Sequence, residues 1–223
     1  MHPALCPNLN IDHSQLRILY DRVRRVKGVR KAVVSSGIRY DMLFDPAGTM
    51  TADGETYASD LIRYHVSGRL KIAPEHSDPV TLMAMRKPAF DLFHLFKSFF
   101  DTMNVQENLR QELIPYFMSG HPGSSTEAMA ELAVATKDLG YRLEQVQDLT
   151  PTPLTLASAI WYAGIDPWTG NKVIVERSTE AKQKQKLFFF WYKPENRALI
   201  RQILRSIGRE DLLERLFAPE GSS

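Results

Sequence analysis

Segments with helical spacing of apolar residues alternate with short β-branched runs along the first 164 residues. Residues 12–27 place leucine, tyrosine and valine side chains three and four positions apart, with Asp12 suited to cap the segment and Gly28 to end it. The run 31–38 is rich in alanine and valine and stops at small polar residues. The pattern predicts a helix followed by a strand.

The same pattern recurs three more times. Leu113 to Ser119 is apolar apart from its end, as expected of a parallel strand covered on both faces, although Pro115 must lie where a ladder hydrogen bond is not needed. Phenylalanines at helical spacing between residues 88 and 100 predict a core-facing stripe. Further strands are predicted at 70–73, 113–119 and 144–149, and helices at 55–66, 79–85, 88–100, 124–139 and 153–161.

Repeated strand–helix order predicts an α/β fold with parallel strands and right-handed crossovers. A closed eight-unit barrel needs about 250 residues, and roughly 135 residues carry the pattern here. We therefore expect an open partial (β/α) barrel of about four parallel strand–helix units over residues 1–164. Residues 165–223 are expected to form a turn or hairpin and a helical extension, because turn residues and a highly charged helical stretch follow Gly164.

Composition narrows the class of protein. The chain has 223 residues, 43% hydrophobic and 24% charged, which is typical of a globular domain. Its longest uninterrupted apolar runs are far shorter than the ~20 residues of a spanning helix, so we predict a cytoplasmic protein without membrane partners. A net charge of +2 makes nucleic acid an unlikely partner, and the basic cluster 22–31 is interpreted as a solvated helix face. The single cysteine, Cys6, cannot by itself form a disulfide or hold a metal cluster.

Polar residues follow each predicted strand, where parallel sheets bind ligands. A carboxylate such as Glu75 can accept hydrogen bonds from a hydroxyl or an amino group of a ligand. Free backbone amides at the start of the helix near Ser124 and Ser125 would bind an anion. Arg39 could clamp an anion or simply pair with Asp41, and a His-Pro-Gly turn could be only a tight connection. The candidates are Ser36 and Arg39 after the first strand, Glu75 and His76 after the second, His121 and Gly123 after the third, and Gln147 and Asp148 in the fourth.

Four sequence motifs, which occur in a fixed order and contain these positions, make their functional interpretation more specific. They are Ser-Gly-Ile-Arg-Tyr-Asp at 36–41, Leu-Lys-Ile-Ala-Pro-Glu-His at 70–76, Pro-Tyr-Phe-Met-Ser-Gly-His-Pro-Gly at 115–123 and Gln-Val-Gln-Asp-Leu-Thr-Pro-Thr-Pro at 145–153. With Lys-Pro-Glu-Asn-Arg at 193–197, the chain resembles the YgiQ-type radical S-adenosylmethionine proteins from about Cys6 to Leu213. The resemblance covers nearly the whole chain.

The resemblance implies a partial barrel of about six strand–helix units, of which this chain would supply the third to the sixth. The complete family protein uses S-adenosylmethionine and a [4Fe-4S] cluster held by a Cys-x3-Cys-x2-Cys loop, and Cys6 does not match that loop. It follows that this chain alone would be inactive. The expected partner is a cluster-bearing N-terminal half, encoded upstream in the same gene or as a separate chain, so that the chain would be a half-enzyme or a truncated reading frame.

The resemblance also assigns roles by position. Glu75 and His76 would face the methionine or ribose portion of the cofactor, and the turn from His121 to Gly123 would approach it, with Ser36 and Arg39 as further cofactor-binding candidates. Arg39, Gln147 and Asp148 would line the substrate side. The resemblance names no catalytic residue and no substrate.

Two alternatives of other classes stay open. Glu75, His76, His121 and Asp148 are residue types that a hydrolytic metal site needs, although the usual second histidine on one strand is missing. Without the cluster motif, the chain could instead be a non-catalytic docking module.

Overall fold

A computed structural model describes residues 8–144 and 146–218, which form two compact units. The first unit contains residues 8–74 and 88–116, and the second contains residues 75–87, 117–144 and 146–218. Cys6 lies outside the described residues. The division into 1–164 and 165–223 rests on the character of the sequence and stays a prediction.

The described residues form helices and three strands, with short 3-10 turns at Tyr40–Leu43 and Phe188–Phe190 and a π-helical turn at Leu61–His65. The strands are β1 (Arg69–Glu75), β2 (Glu112–Ser119) and β3 (Gln147–Asp148). The helices are α1 (Ser14–Arg24), α2 (Ala52–Asp60), α3 (Pro79–Met85), α4 (Asp91–Gln106), α5 (Thr126–Asp138), α6 (Leu156–Ala163), α7 (Thr179–Leu187), α8 (Pro194–Ser206) and α9 (Glu210–Phe217).

The three strands form one sheet in the order β1-β2-β3. β2 and β3 run parallel, with Met118 opposite Gln147 and Ser119 opposite Asp148. The α/β class and the open sheet are confirmed, and the sheet fits a partial barrel. The four-unit arrangement is not reproduced in full, because the run 31–38 contributes a single parallel bridge, Ile38 to Ile72, and no regular strand.

The core of the first unit is built on α4. Phe93, Phe96 and Phe100 are buried on one face, which confirms the predicted stripe. Leu70 and Ile72 alternate with exposed neighbours in β1, so the strand buries one face in this core. Burial of such aromatic and aliphatic side chains is the main stabilising contribution to the unit.

The core of the second unit joins α5 to the chain after residue 165. Met129 and Leu132 of α5 are buried, and α5 packs against the 3-10 turn that contains Phe188 and Phe189. The apolar run Leu187 to Tyr192 therefore contributes to this core, and Ile200 of α8 is also buried in this unit.

Helix starts follow cap chemistry in α3, α5 and α6, where Asp78, Ser125 and Thr155 cap the helices; the Asp78 side chain accepts from Thr81 N at 2.7 Å. The cap predicted for the first helix is wrong by one position: the N-cap of α1 is His13, and Asp12 accepts from Ser14 N at 2.8 Å just before it. Within the described stretches, we find no helix with both the length and the apolar character that a membrane crossing requires.

Candidate functional site

The first element of the candidate site is the end of β1. Glu75 adopts a left-handed backbone conformation with φ of 68°, which is uncommon for a residue other than glycine. Its carboxylate is 3.6 Å from Lys87 Nζ, and its side chain is only 18% exposed. Burial raises the pKa of Glu75, and the Lys87 ammonium partly opposes that shift. The second unit thus holds a largely desolvated carboxyl group.

His76, the next residue, is completely buried. Its Nδ1 accepts hydrogen bonds from the backbone N–H groups of Ser77 and Asp78, both at 3.0 Å. Nδ1 therefore carries no proton, and Nε2–H faces Ser124 Oγ at 3.3 Å. Burial lowers the pKa of His76, Asp78 partly opposes that shift and His121 adds to it, and the resulting pKa is about 4. The imidazole is neutral at pH 7 and donates to the serine.

The second element is the loop after β2, which Gln185 of α7 holds in place. Gly120 N donates to Gln185 Oε1 at 2.9 Å, and Gln185 Nε2 donates to Ser124 O at 2.9 Å. Gln185 is completely buried, and the sequence analysis missed it. The available signal was its spacing: Gln185, Phe188 and Phe189 lie three and four positions apart, so an uncharged residue shares the apolar face of a lysine-rich helix.

His121 contributes an acceptor to the same loop. Its Nδ1–H donates to Pro122 O at 2.8 Å, which leaves Nε2 with a lone pair and without a hydrogen-bond partner among the described residues. The residue is 6% exposed, and burial lowers the pKa of its imidazole. His121 Nε2 is thus available to a ligand that donates a hydrogen bond.

Gly123 closes the turn tightly. Its φ is +93°, and a Cβ at this position would lie 3.2 Å from Thr81 Cα and from Val80 O. Gly123 N donates to Ile174 O and Ser124 N to His121 O. The expectation that the Ser124 amide is free to bind an anion is therefore wrong, because the loop itself uses that amide.

The substrate-side candidates of β3 lie in the same unit. Ser119 Oγ donates to one carboxylate oxygen of Asp148, and Lys186 Nζ donates to the other at 2.9 Å. Gln147 and Asp148 are both exposed. Asp148 is therefore accessible and already carries a cationic neighbour.

Ser36 and Arg39 belong to the first unit. Ser36 is exposed, and Arg39 pairs with Asp41, its Nε donating to Asp41 Oδ1 at 3.2 Å. The local pairing that the sequence analysis left open for Arg39 is the one that the structure adopts.

The geometry limits the chemistry of this site. His76 donates to Ser124 and cannot act as a base toward it, so the pair does not form an activated serine nucleophile. Within residues 8–144 and 146–218, no three histidine, cysteine, aspartate or glutamate side chains come together as a metal site. Glu75 and His121 instead present two acceptors on mostly buried side chains, which suit a ligand rich in N–H and O–H donors.

An open parallel sheet with buried polar groups where its strands end defines an α/β protein that fits a partial barrel. Residues 144–215 match the model of a domain of unknown function, DUF3362. The chain is 50% identical to a UPF0313 protein of Bacteroides thetaiotaomicron over 97% of its own length and 35% of the relative's. A UPF0313 protein of Porphyromonas gingivalis is 47% identical (100% of the chain, 36% of the relative), and one of Methanocella arvoryzae 39% (96% and 34%). The homologues of this chain are thus UPF0313, or YgiQ-type, proteins, and the chain spans about a third of the length of these curated relatives.

Proposed function

We propose that this chain supplies the cofactor-facing and substrate-facing loops of a YgiQ-type radical S-adenosylmethionine protein. Homology to UPF0313 proteins over nearly the whole chain supports the class. The observation that carries the proposal is the pair of acceptors on mostly buried residues, the Glu75 carboxyl at the end of β1 and His121 Nε2 just after the neighbouring strand β2.

Radical chemistry of this class requires an iron–sulfur cluster and S-adenosylmethionine, and the described residues suit only the second of these groups. No described cluster of three ligating side chains suits an iron–sulfur cluster, so its thiolates would come from a cluster-bearing part encoded upstream or on a separate chain. S-adenosylmethionine has an ammonium group and ribose hydroxyls, which are the donors that Glu75 and His121 would accept. When bound beside a reduced cluster, this cofactor supplies radical chemistry.

The candidate residues would then have three roles: binding the cofactor, positioning the loops and facing the substrate. Glu75 and His121 would hold the cofactor, whereas Ser36 and Arg39 are cofactor-binding candidates by the family resemblance alone. His76, Ser124 and Gln185 act as positioning residues, because their polar groups bind one another and the loop backbone. Gln147 and Asp148 would face a substrate whose identity stays open.

A chimera tests the proposal. The Bacteroides relative would carry this chain in place of its matching region, with its cluster reconstituted without oxygen. We expect Glu75→Gln to weaken binding of S-adenosylmethionine about tenfold or more, because a hydrogen bond to a charged group is lost, and to slow release of 5′-deoxyadenosine. His121→Ala should weaken binding in the same direction.

Glu131→Gln is the matched control, since Glu131 is an exposed glutamate on α5. Unchanged cofactor affinity in both the Glu75 and the His121 variants would contradict the proposed site. A chimera that loses activity only when this chain is removed, and not in either variant, would favour the docking-module alternative.

A further inference from the structure

The first unit contains a cavity of about 500 Å³ that the proposed function does not use. α1 forms one side of it, and α2 with the π-helical turn forms the other. Its walls include three tyrosines, a histidine and two arginines: Tyr20, Tyr57, Tyr64, His65, Arg17 and Arg24. The volume lies within the range of small-molecule sites, roughly 300–1,000 Å³.

His65 provides an unsatisfied acceptor in this cavity. The residue is 3% exposed and ends the π-helical turn, a conformation often found at functional sites. Its Nδ1–H donates to Ala32 O at 2.8 Å, because a carbonyl oxygen can only accept. Nε2 therefore keeps its lone pair and has no hydrogen-bond partner in the described part of the chain. Nε2 is not one of the fully buried polar atoms of the described residues, so it is accessible from the cavity and open to a donor from a ligand.

The charges in the walls leave one arginine unpaired. Arg17 Nε binds Asp60 at 2.9 Å, and Asp21 pairs with Arg25 at 2.8 Å. The Arg24 guanidinium lies 3.8 Å from the centre of the Tyr64 ring and has no carboxylate partner within residues 8–144 and 146–218. A stacked guanidinium with free N–H groups is a common phosphate ligand.

The tyrosines supply flat, uncharged walls. Tyr57 is buried, and desolvation, with the neighbouring Tyr20 hydroxyl, holds the pKa of Tyr57 above its ordinary range. The Tyr20 ring lies 4.8 Å from the His65 ring, and Tyr64 is half-exposed beneath Arg24. Aromatic rings and a guanidinium plane are the surfaces on which nucleobases stack.

We propose that this cavity binds a 5′-mononucleotide. The base stacks among the tyrosines and donates an N–H to His65 Nε2, and the phosphate binds Arg24. An acceptor, a stacking wall and a free cation in one cavity match the three parts of such a ligand. The proposal concerns the first unit alone and does not depend on the site of Glu75 and His121.

Isothermal titration of the 223-residue chain with AMP, CMP, GMP and UMP tests the proposal, with inorganic phosphate and S-adenosylmethionine as comparison ligands. We expect saturable binding of at least one mononucleotide. Arg24→Gln should weaken it about tenfold, because a charged hydrogen bond to phosphate is lost, and Tyr64→Ala should weaken it by a similar factor. Arg22→Gln is the control, since Arg22 is also exposed on α1 and does not line the cavity.

The comparison ligands separate the contributions. Inorganic phosphate, which lacks a base, and S-adenosylmethionine, which lacks a phosphate, should each bind at least about tenfold more weakly than the best mononucleotide. Absence of saturable binding for all four mononucleotides would overturn the proposal. Equal weakening by Arg22→Gln would overturn it as well, because only general electrostatic attraction would remain.

Discussion

At the scale of the residue, the sequence placed the polar groups and the fold determined their protonation. The position of Glu75 and His76 after one strand and of His121 after the next follows from the strand–helix pattern. The proton on His76 depends on Ser77 and Asp78 amides that point at Nδ1, and on Ser124 behind Nε2. No sequence pattern specifies those three directions, so the neutral, donating state of His76 could not be predicted.

The burial of His76 predicts a pH-dependent stability. The folded pKa is about 4 and the unfolded value is 6.5, so the unfolded chain binds the proton more readily between these values. The contribution of neutral His76 to the free energy of unfolding is therefore fully present above about pH 6.5, and it is lost as the pH falls toward 4. Between pH 7 and 5, we expect the wild-type free energy of unfolding to decrease by roughly 2 kcal/mol more than that of His76→Asn, whose Oδ1 can accept the same two amides.

Urea unfolding at the two pH values measures this difference. Asp78 and His121 also shift the pKa of His76. Both residues are present in the wild type and in His76→Asn, so their other contributions to the pH dependence of stability largely cancel in the comparison. His94→Gln is the control, because His94 is exposed on α4. Equal losses of stability in the wild type and in His76→Asn would show that the folded imidazole accepts a proton without penalty.

At the scale of the element, helices were more predictable than strands. Periodicity located α1, α4 and α5, whose apolar faces recur at helical spacing. The first predicted strand, 31–38, was reduced to one bridge, because pairing depends on a neighbouring strand and not on β-branched residues alone. The same reason shortens the fourth predicted strand to Gln147–Asp148.

Gly54 shows how packing can reverse a helix propensity. In an exposed helix, alanine is more favourable than glycine by about 1 kcal/mol. A Cβ on Gly54 would lie 2.4 Å from Leu43 O and 2.8 Å from Leu43 Cα, because α2 contacts the 3-10 turn backbone to backbone. Gly54→Ala should therefore destabilise the chain by about 2–3 kcal/mol in urea unfolding.

Thr56→Ala tests the interpretation of Gly54, since Thr56 is exposed on the same helix. Its effect should stay within about 1 kcal/mol. A stabilising Gly54→Ala would show that the turn moves away at little cost, and the close approach would then not constrain α2.

At the scale of the whole molecule, the region that matches DUF3362 is not independent of the preceding sequence. Gln185 holds the loop after β2, and Gly123 N donates to Ile174 O. Arg86, just after α3, donates to both carboxylate oxygens of Asp166 at 2.8 Å. Sequence character changes after Gly164, but long-range hydrogen bonds of this kind are invisible to composition, so they could not inform the expected domain boundary.

The Arg86–Asp166 pair gives the last prediction. Both side chains are mostly buried, and a bidentate pair out of water leaves an uncompensated charge when one partner is removed. Arg86→Gln and Asp166→Asn should each destabilise the chain, and the double variant should lose about 1–3 kcal/mol less than the sum of the two. Arg215 and Asp138 join α9 to α5 through a pair that is more than half exposed, and their cycle should give less than about 1 kcal/mol. Equal coupling energies in the two cycles would mean that the buried pair stabilises the chain no more than a surface contact does. The attachment of residues 166–218 to the preceding residues would then depend on apolar packing and on the hydrogen bonds of Gln185.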